Sequence, residues 1–460
     1  MRVYVTQPAP KIFRQMSIDD LLFNDNPKPS VINENRTNTR TDAYAFLPPR
    51  LRQTAKVPAM AHMLANFNAK YADLFEQRRE TLYETFYRAK KDKGMKKFFK
   101  DMFASQPRYV KCDSGKVCGD VAGHIHRLCA QHATPEDDGL RADVFGKISE
   151  VLTSAGFDAS LFDAPAAFKT AFRRIDAPVS SLQRALDELK ELFEEPEFNA
   201  LYHTSAFAYV RGRSVIDAVK RHQMNDSHWF AKLDFSDFFG STTPEFVTKM
   251  LQMVYPFSEL IANDSGRELL EKALDLAFLG GHLPQGTPIS PLITNLMMIP
   301  IDHTLSNDFR DFNGQKYIYT RYADDILVSS RYGFDVKKIE NAIKITLDLF
   351  GAPFSINESK TRYGSRAGSN WNLGVMLNKD NEITVGWRKK REFQSMLHSY
   401  VLDKRNGKQW DIGRVYALEG LRSYYKMVEG DTIDRIVAHV GGKLGADIPA
   451  MIKDDIRNLI

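Results

Sequence analysis

Cysteine is almost missing from this chain: of 460 residues, only Cys112, Cys118 and Cys129 carry a thiol. So few, and an odd number, cannot build a disulfide framework, which excludes the small stapled secreted scaffolds and suits a reducing compartment. His124, His126 and His132 share the segment 112–132 with them. The close Cys-x-x-Cys-like pairs of structural zinc sites are lacking, so core or surface thiols and imidazoles are expected there. Long apolar runs are missing as well. No stretch approaches the ~20 residues of a membrane span. The N-terminus, MRVYVTQPAPKIF, lacks the apolar core of a signal peptide. A cytoplasmic protein with no membrane partner is expected. Nor does one sign of charge prevail: 63 Lys and Arg against 58 Asp and Glu leave a net +5 and a pI near 8.8. That balance permits nucleic-acid binding but argues for it only where basic residues cluster. Internal repeats and long low-complexity tracts are absent too. What remains is an ordinary globular composition, 43% hydrophobic and 26% charged. The length suits roughly two to four structural units.

Residues 1–45 are rich in Asn, Pro, Asp, Arg and Thr and read as an extended or irregular arm. From Pro58 to about Phe103 the pattern is helical, with Met60, Met63, Leu64 and Phe67 three or four apart. Residues 78–100 hold nine basic side chains against three acidic, interleaved with Tyr83, Phe86, Tyr87, Phe98 and Phe99. Two readings stand: a surface that tracks phosphates and stacks bases, or an amphipathic helix with a solvated basic face. Residues 134–138 read as a polar linker, and 144–155 as a further helix.

A second unit begins near Ala166. Ser180 or Ser181 is expected to cap a helix striped by Leu182, Leu186, Leu189 and Phe193. Arg211-Gly212-Arg213-Ser214 forms a turn before another helix. The apolar, aromatic run from Trp229 predicts a buried strand ending at Asp234. Helical material follows to about Phe278, then a Gly-Gly turn, then HLPQGTPISPLITNL, entering a helix at about 292–298. Asp335 is expected to cap a helix carrying Val336, Ile339, Ile343, Leu347 and Phe350, stopped by Gly351. PFSIN, the turn NESKTR and the strand-like WNLGVMLN come next. Residues 386–410 carry seven basic side chains against two acidic, and the remainder reads as helices with apolar Val415, Leu418, Leu421 and Tyr425.

The stretch that organises the rest is 317–330, YIYTRYADDILVSS. Strand-forming Tyr317, Ile318 and Tyr319 precede Ala323-Asp324-Asp325, and Ile326, Leu327 and Val328 follow. This predicts a β-hairpin with two carboxylates at its tip. A bare Asp-Asp pair is ordinarily a solvated acidic turn. Burying two adjacent anions costs free energy unless cations neutralise them. If the strand end at Asp234 converged on this hairpin, the carboxylates would form an oxygen-ligand site for two magnesium ions of the kind used in phosphoryl transfer. Spacing alone does not establish that convergence.

The ordered set of motifs resembles a reverse transcriptase. Tyr322-Ala323-Asp324-Asp325 resembles the family's YADD box, and Leu283-Pro284-Gln285-Gly286 with Ser290-Pro291 its LPQG…SP segment. Asp234 with Phe239 five residues on resembles the first catalytic motif. Residues 357–362, NESKTR, resemble its lysine-bearing motif, and Leu373-Gly374-Val375 the primer-gripping strand. The set covers roughly residues 166–400; the N-terminal third carries no such resemblance. The resemblance implies an α+β right-hand polymerase with a mainly helical N-terminal extension. Residues 1–165 would be that extension, serving RNA binding or assembly. Residues 166–384 would form fingers and palm, and 385–460 a helical thumb whose basic 386–410 stretch meets the primer–template.

It also implies site roles. Asp234, Asp324 and Asp325 would be catalytic and, with the Phe235 carbonyl, would hold two Mg2+ ions, Mn2+ being the alternative. Lys360 would stand near the leaving pyrophosphate. Phe239 would lie under the sugar and exclude a 2′-hydroxyl, Gln285 and Gly286 would shape the nucleotide pocket, and Arg211 would reach the triphosphate. The compact form with GRS before the first aspartate resembles bacterial enzymes of the retron, group II intron and defence-associated kinds. Asn372-Leu373-Gly374 departs from the VTG triplet of retron enzymes. The expectation is therefore a defence-associated RNA-directed DNA polymerase that copies a dedicated noncoding RNA into cDNA from dNTPs. Assembly into a homo-oligomer is left open. The alternatives are template-independent, protein-primed DNA synthesis and a non-catalytic RNA-binding scaffold.

Overall fold

The structure is a computed structural model that describes residues 57–77, 81–89, 138–154, 160, 172–194, 202–366, 371 and 374–458. The arm at 1–45, the Cys/His segment 112–132, and Asn372 and Leu373 lie outside the described residues.

Helix α1 (Val57–Lys70) buries Met60, Leu64 and Phe67, the expected stripe, while Met63 points outward. The helical reading of 78–103 is overturned where the chain is described. Residues Tyr83–Ala89 form strand β1, because Tyr-Glu-Thr-Phe-Tyr is dominated by aromatic and β-branched side chains that favour an extended backbone. Helix α2 (Asp138–Ser154) follows, and then strand β2 (Phe172–Pro178). β2 pairs antiparallel with β1 from Tyr83↔Pro178 to Ala89↔Phe172. Residues 90–171 are therefore one long connection between two strands of a single hairpin.

Helix α3 (Ser180–Phe193) buries Leu182, Leu186, Leu189 and Phe193 as the stripe predicts. Its N-cap is Val179, with no side-chain cap bond, so neither Ser180 nor Ser181 caps it. Val179 instead donates its N–H to the Leu82 carbonyl at 2.9 Å, so the β1–β2 hairpin sets the helix entry. Helix α4 (Val215–Met224) starts on a capping box in which the Ser214 hydroxyl and the Asp217 carboxylate each accept the other's backbone N–H.

Strand β3 (Trp229–Ser236), helices α5 (Pro244–Leu251) and α6 (Asp264–Asp275), helices α7 (Ser290–Met297) and α8 (Ile299–Asp308), and strands β4 (Ile318–Tyr322) and β5 (Asp325–Ser330) follow. Helix α9 (Val336–Phe350) is capped by Asp335 and ends on left-handed Gly351, as its sequence predicts. Two short strands, β6 (Ser355–Ile356) and β7 (Arg362–Ser365), then share one edge of β3. The central sheet runs β4-β5-β3-β6, with β7 also on β3, and every named pair in it is antiparallel.

Period-two alternation splits this sheet into two faces. Ala231, Leu233, Tyr319, Ile326 and Val328 join the main core with the helices. Phe230 and Leu327 join a smaller cluster with Val215, Val219, Trp371, Val375 and Leu377. Beyond the β8 (Met376–Leu377) and β9 (Ile383–Thr384) ribbon come α10 (Trp387–Arg405), α11 (Ile412–Leu444) and α12 (Ile448–Asn458). Tyr424 and Val428 of α11 pack on the second face, while Val415, Leu418 and Tyr425 anchor a separate helical core. Among the described residues, no helix is long and apolar enough to cross a membrane.

Because both hairpin strands lie outside the 90–171 connection, replacing that connection by Asn-Gly is expected to keep the fold. Loop length is a slowly varying cost, and Asn-Gly suits a two-residue hairpin turn. Circular dichroism and a single cooperative melt check this; loss of cooperative unfolding contradicts it.

Candidate active site

The β4–β5 hairpin closes through Ala323 and Asp324, with Tyr322 paired to Asp325. Ala323 has φ +58, the sign that a type II′ connection requires at its first central position and that glycine usually supplies. β3 runs antiparallel to β5 with Asp234 directly opposite Asp325, and Phe235 donates its N–H to the Asp324 carbonyl at 3.1 Å. The strand end and the hairpin tip do converge.

Asp234 is buried and Asp324 and Asp325 are half-buried. Burial pushes the Asp324 carboxyl above the usual carboxylate range, and the Asp234 and Asp325 charges add to that. Burial raises Asp325 as well, opposed by Lys232 and reinforced by Asp234. Two ammonium groups answer the cluster. Lys360 Nζ donates to Asp234 Oδ2 at 2.5 Å and Lys232 Nζ to Asp325 Oδ2 at 2.7 Å.

Lys360 arrives because the partner of β3 is interrupted. β6 and β7 flank a 3-10 turn, Glu358–Lys360, and Asn357 N–H bonds the Asp234 carbonyl at 2.7 Å. Lys232 was not singled out from sequence. The available signal was its position two residues before Asp234, which puts both side chains on one face of the strand.

The remaining predicted residues occupy the surrounding elements. Phe238 is 2% exposed in the core, whereas Phe239 is only partly buried beside it, ring centroids 5.7 Å apart. The core role thus falls to Phe238. Gln285 accepts the Asp176 N–H at 2.9 Å. Gly286 has φ +134, and a Cβ there would stand 2.6 Å from the Asp176 carbonyl oxygen. The glycine is thus required by close approach to β2. Arg211 is exposed on the turn at Gly212, while Arg213 donates to the carbonyls of Tyr202, His203 and Ala206. Tyr209, also not foreseen, has φ +54 and is 55% exposed. Burial and the nearby Asp324 charge raise its phenol.

The donors gathered here are oxygens on anionic groups, the set that a hard divalent cation selects. Burial and mutual repulsion raise the Asp324 and Asp325 carboxyls, a strain that a bound cation would relieve, and in that sense the donor set fits magnesium. Among the described residues, no group of three or more His, Cys, Asp and Glu side chains is arranged to hold a metal ion.

Residues 170–393 match the family model described as reverse transcriptase (RNA-dependent DNA polymerase). The chain is similar to the retron Ec83 reverse transcriptase of Escherichia coli, 27% identical over 279 residues, 59% of this chain and 83% of that one. It is also similar to the Escherichia coli retron Ec73 reverse transcriptase, 29% identical over 234 residues, 49% of this chain and 71% of that one. Among solved structures, telomerase from Candida albicans with a telomeric RNA fragment overlaps 60% of this chain and 53% of its own. The TM-score is 0.35 at 12% identity, too loose to support an argument. Both of these relatives are retron enzymes.

Because the folded pKa of Asp324 is raised, the folded state binds more protons than the unfolded chain just above the ordinary carboxylate range. Stability therefore falls as pH rises through that window. Asp324→Asn is expected to raise the melting midpoint at pH 7, with the gain vanishing near pH 4, where the native group is protonated too. Adding Mg2+ should stabilise the native chain more than the variant. Melting curves against pH and Mg2+ check both.

Proposed function

We propose that the chain, whose residues 170–393 match the reverse transcriptase (RNA-dependent DNA polymerase) family model, copies a dedicated noncoding RNA into DNA as part of antiphage defence. The observation that carries the catalytic reading is the cross-strand meeting of Asp234 with Asp325 beside Asp324. In this reading the central sheet is the palm, the β1–β2 hairpin with α3 and the 202–214 loop the fingers, and α10–α12 the thumb. Asp234, Asp324, Asp325 and the Phe235 carbonyl would hold two Mg2+ ions, which when bound activate the primer hydroxyl and stabilise the leaving pyrophosphate.

The chain's own residues position the reaction. Lys360, 61% exposed in its side chain yet bonded to Asp234, can turn from that carboxylate to a phosphate and offer a proton. Phe239, whose partly buried ring packs against Phe238 of the core, blocks a 2′-hydroxyl. Arg211 reaches the triphosphate from the exposed turn. Gln285 and Gly286 close the pocket against β2. The basic α10 start, with exposed Arg388 and Arg391 beside Trp387, 68% exposed, follows the phosphates of the template duplex, which is recognised through shape and backbone. Similarity to retron enzymes supports the dedicated noncoding template. The cytoplasmic setting follows from the same reading.

Asp324→Ala is expected to cut dNTP incorporation about 100-fold or more with the fold intact; unchanged incorporation in a primer-extension assay contradicts the site. Phe239→Ala is expected to reduce the preference for dNTPs over NTPs roughly tenfold or more, read from kcat/KM for each. Sequencing nucleic acid bound to the purified native protein should return one discrete RNA with complementary DNA. DNA without a matching RNA would instead indicate untemplated synthesis.

A further inference from the structure

Behind the catalytic hairpin lies a fully buried ion pair. Arg321 donates from Nε and Nη2 to the two carboxylate oxygens of Asp302, at 2.8 and 2.7 Å. Tyr319 Oη donates to Asp302 Oδ1 at 2.7 Å. The side chains of Arg321 and Asp302 are 0% and 1% exposed. A buried pair of this kind is a weak source of stability, since apolar residues of similar volume often serve as well. Its retained value is geometric: a planar guanidinium fixes its partners in direction as well as distance.

The third Arg321 contact shows what is being fixed. Nη1 donates to the Ala323 carbonyl at 3.0 Å, at the residue with φ +58 that immediately precedes Asp324. A side chain held at positive φ is strained and persists only when its surroundings enforce it. The Arg321 backbone is engaged on its other side. Its N–H donates to the Ser205 carbonyl at 2.8 Å, and its carbonyl accepts the Phe207 N–H at 3.0 Å. The loop so attached runs on to Ala208, whose carbonyl accepts Asn295 Nδ2 at 2.6 Å, then to Tyr209 and Arg211. One residue therefore ties the aspartate-bearing turn, the helix carrying Asp302 and the loop carrying Tyr209 and Arg211.

We infer that Arg321, oriented by Asp302 and Tyr319, is a positioning residue that holds the Ala323–Asp324 turn and the 205–211 loop in mutual register for catalysis. This rests on the polymerase reading for its kinetic consequence, though not for its structural one.

The test uses the full chain with three changes: Arg321→Lys, Tyr319→Phe, and the apolar pair Arg321→Met with Asp302→Leu, which avoids leaving an unpaired buried charge. The paired variant is expected to melt cooperatively and bind primer–template as the native chain does. Its kcat for single-nucleotide addition should fall about 100-fold, the scale of a small misplacement of reacting groups. Arg321→Lys should fall comparably and Tyr319→Phe less. Hydrogen exchange at the Tyr322 to Asp325 amides should quicken about tenfold while α10–α12 are unchanged. A cooperatively folded paired variant with native kcat and native exchange at the turn overturns the inference. If the native chain makes no DNA while the exchange change appears, the polymerase reading fails and the structural role stands.

Discussion

Three carboxylates brought together at one end of two central strands repel one another, and much of the surrounding architecture answers that repulsion. Asp234 and Asp325 are opposed across β3 and β5, and Asp324 sits at the adjoining turn. No apolar packing relieves such a cluster; only positive charge or protonation does. Lys232 and Lys360 supply the first from two different elements, while burial and the neighbouring aspartates keep the Asp324 and Asp325 carboxyls raised. Oxygen donors gathered in this way are the kind of set that a hard divalent cation selects.

The same need explains the rigidity behind the site. On the second face of the sheet, His222 bonds Ser329 Oγ at 2.6 Å and Thr320 Oγ1 at 2.8 Å, pinning α4 to both strands of the catalytic hairpin. Burial holds that imidazole's pKa down to about 3, so it stays neutral while forming both bonds. On the first face, the Asp302–Arg321–Tyr319 group does the equivalent for β4. A turn bearing like charges is thereby clamped on both faces.

Farther out, the helical C-terminal segment is joined to the sheet through one interrupted helix. α11 leaves helical geometry at Glu429, whose carboxylate accepts from Val385 N–H at 2.6 Å, from Lys390 at 2.8 Å and from Thr384 Oγ1. The break lies just after Tyr424 and Val428, which pack on the second face of the sheet. The half of α11 that touches the sheet and the half that packs with α12 are thus separated by a side chain tied to the segment entering α10.

The sequence by itself determined the local elements and the chemistry they carry. The hairpin of 317–330, the strand that carries Asp234, and the cap and stop of the helix between Asp335 and Gly351 are set by side-chain period, β-propensity and capping, all short-range effects. Aspartate and lysine as the proposed reactive groups stood out for the same reason: the motifs that hold them are contiguous. Tertiary structure alone decided what meets what. The pairing of β1 with β2 across 82 intervening residues has no local signature. The bond from Arg321 to Asp302 joins a lone cation in one apolar strand to a lone anion in an apolar helical run. Each charge was visible, but only packing made them partners. Gly286 likewise reads as a glycine that lets a ligand approach until β2 is seen beside it. Long-range contacts such as these depend on which faces are buried together, and a local pattern of residues specifies a face without specifying what covers it.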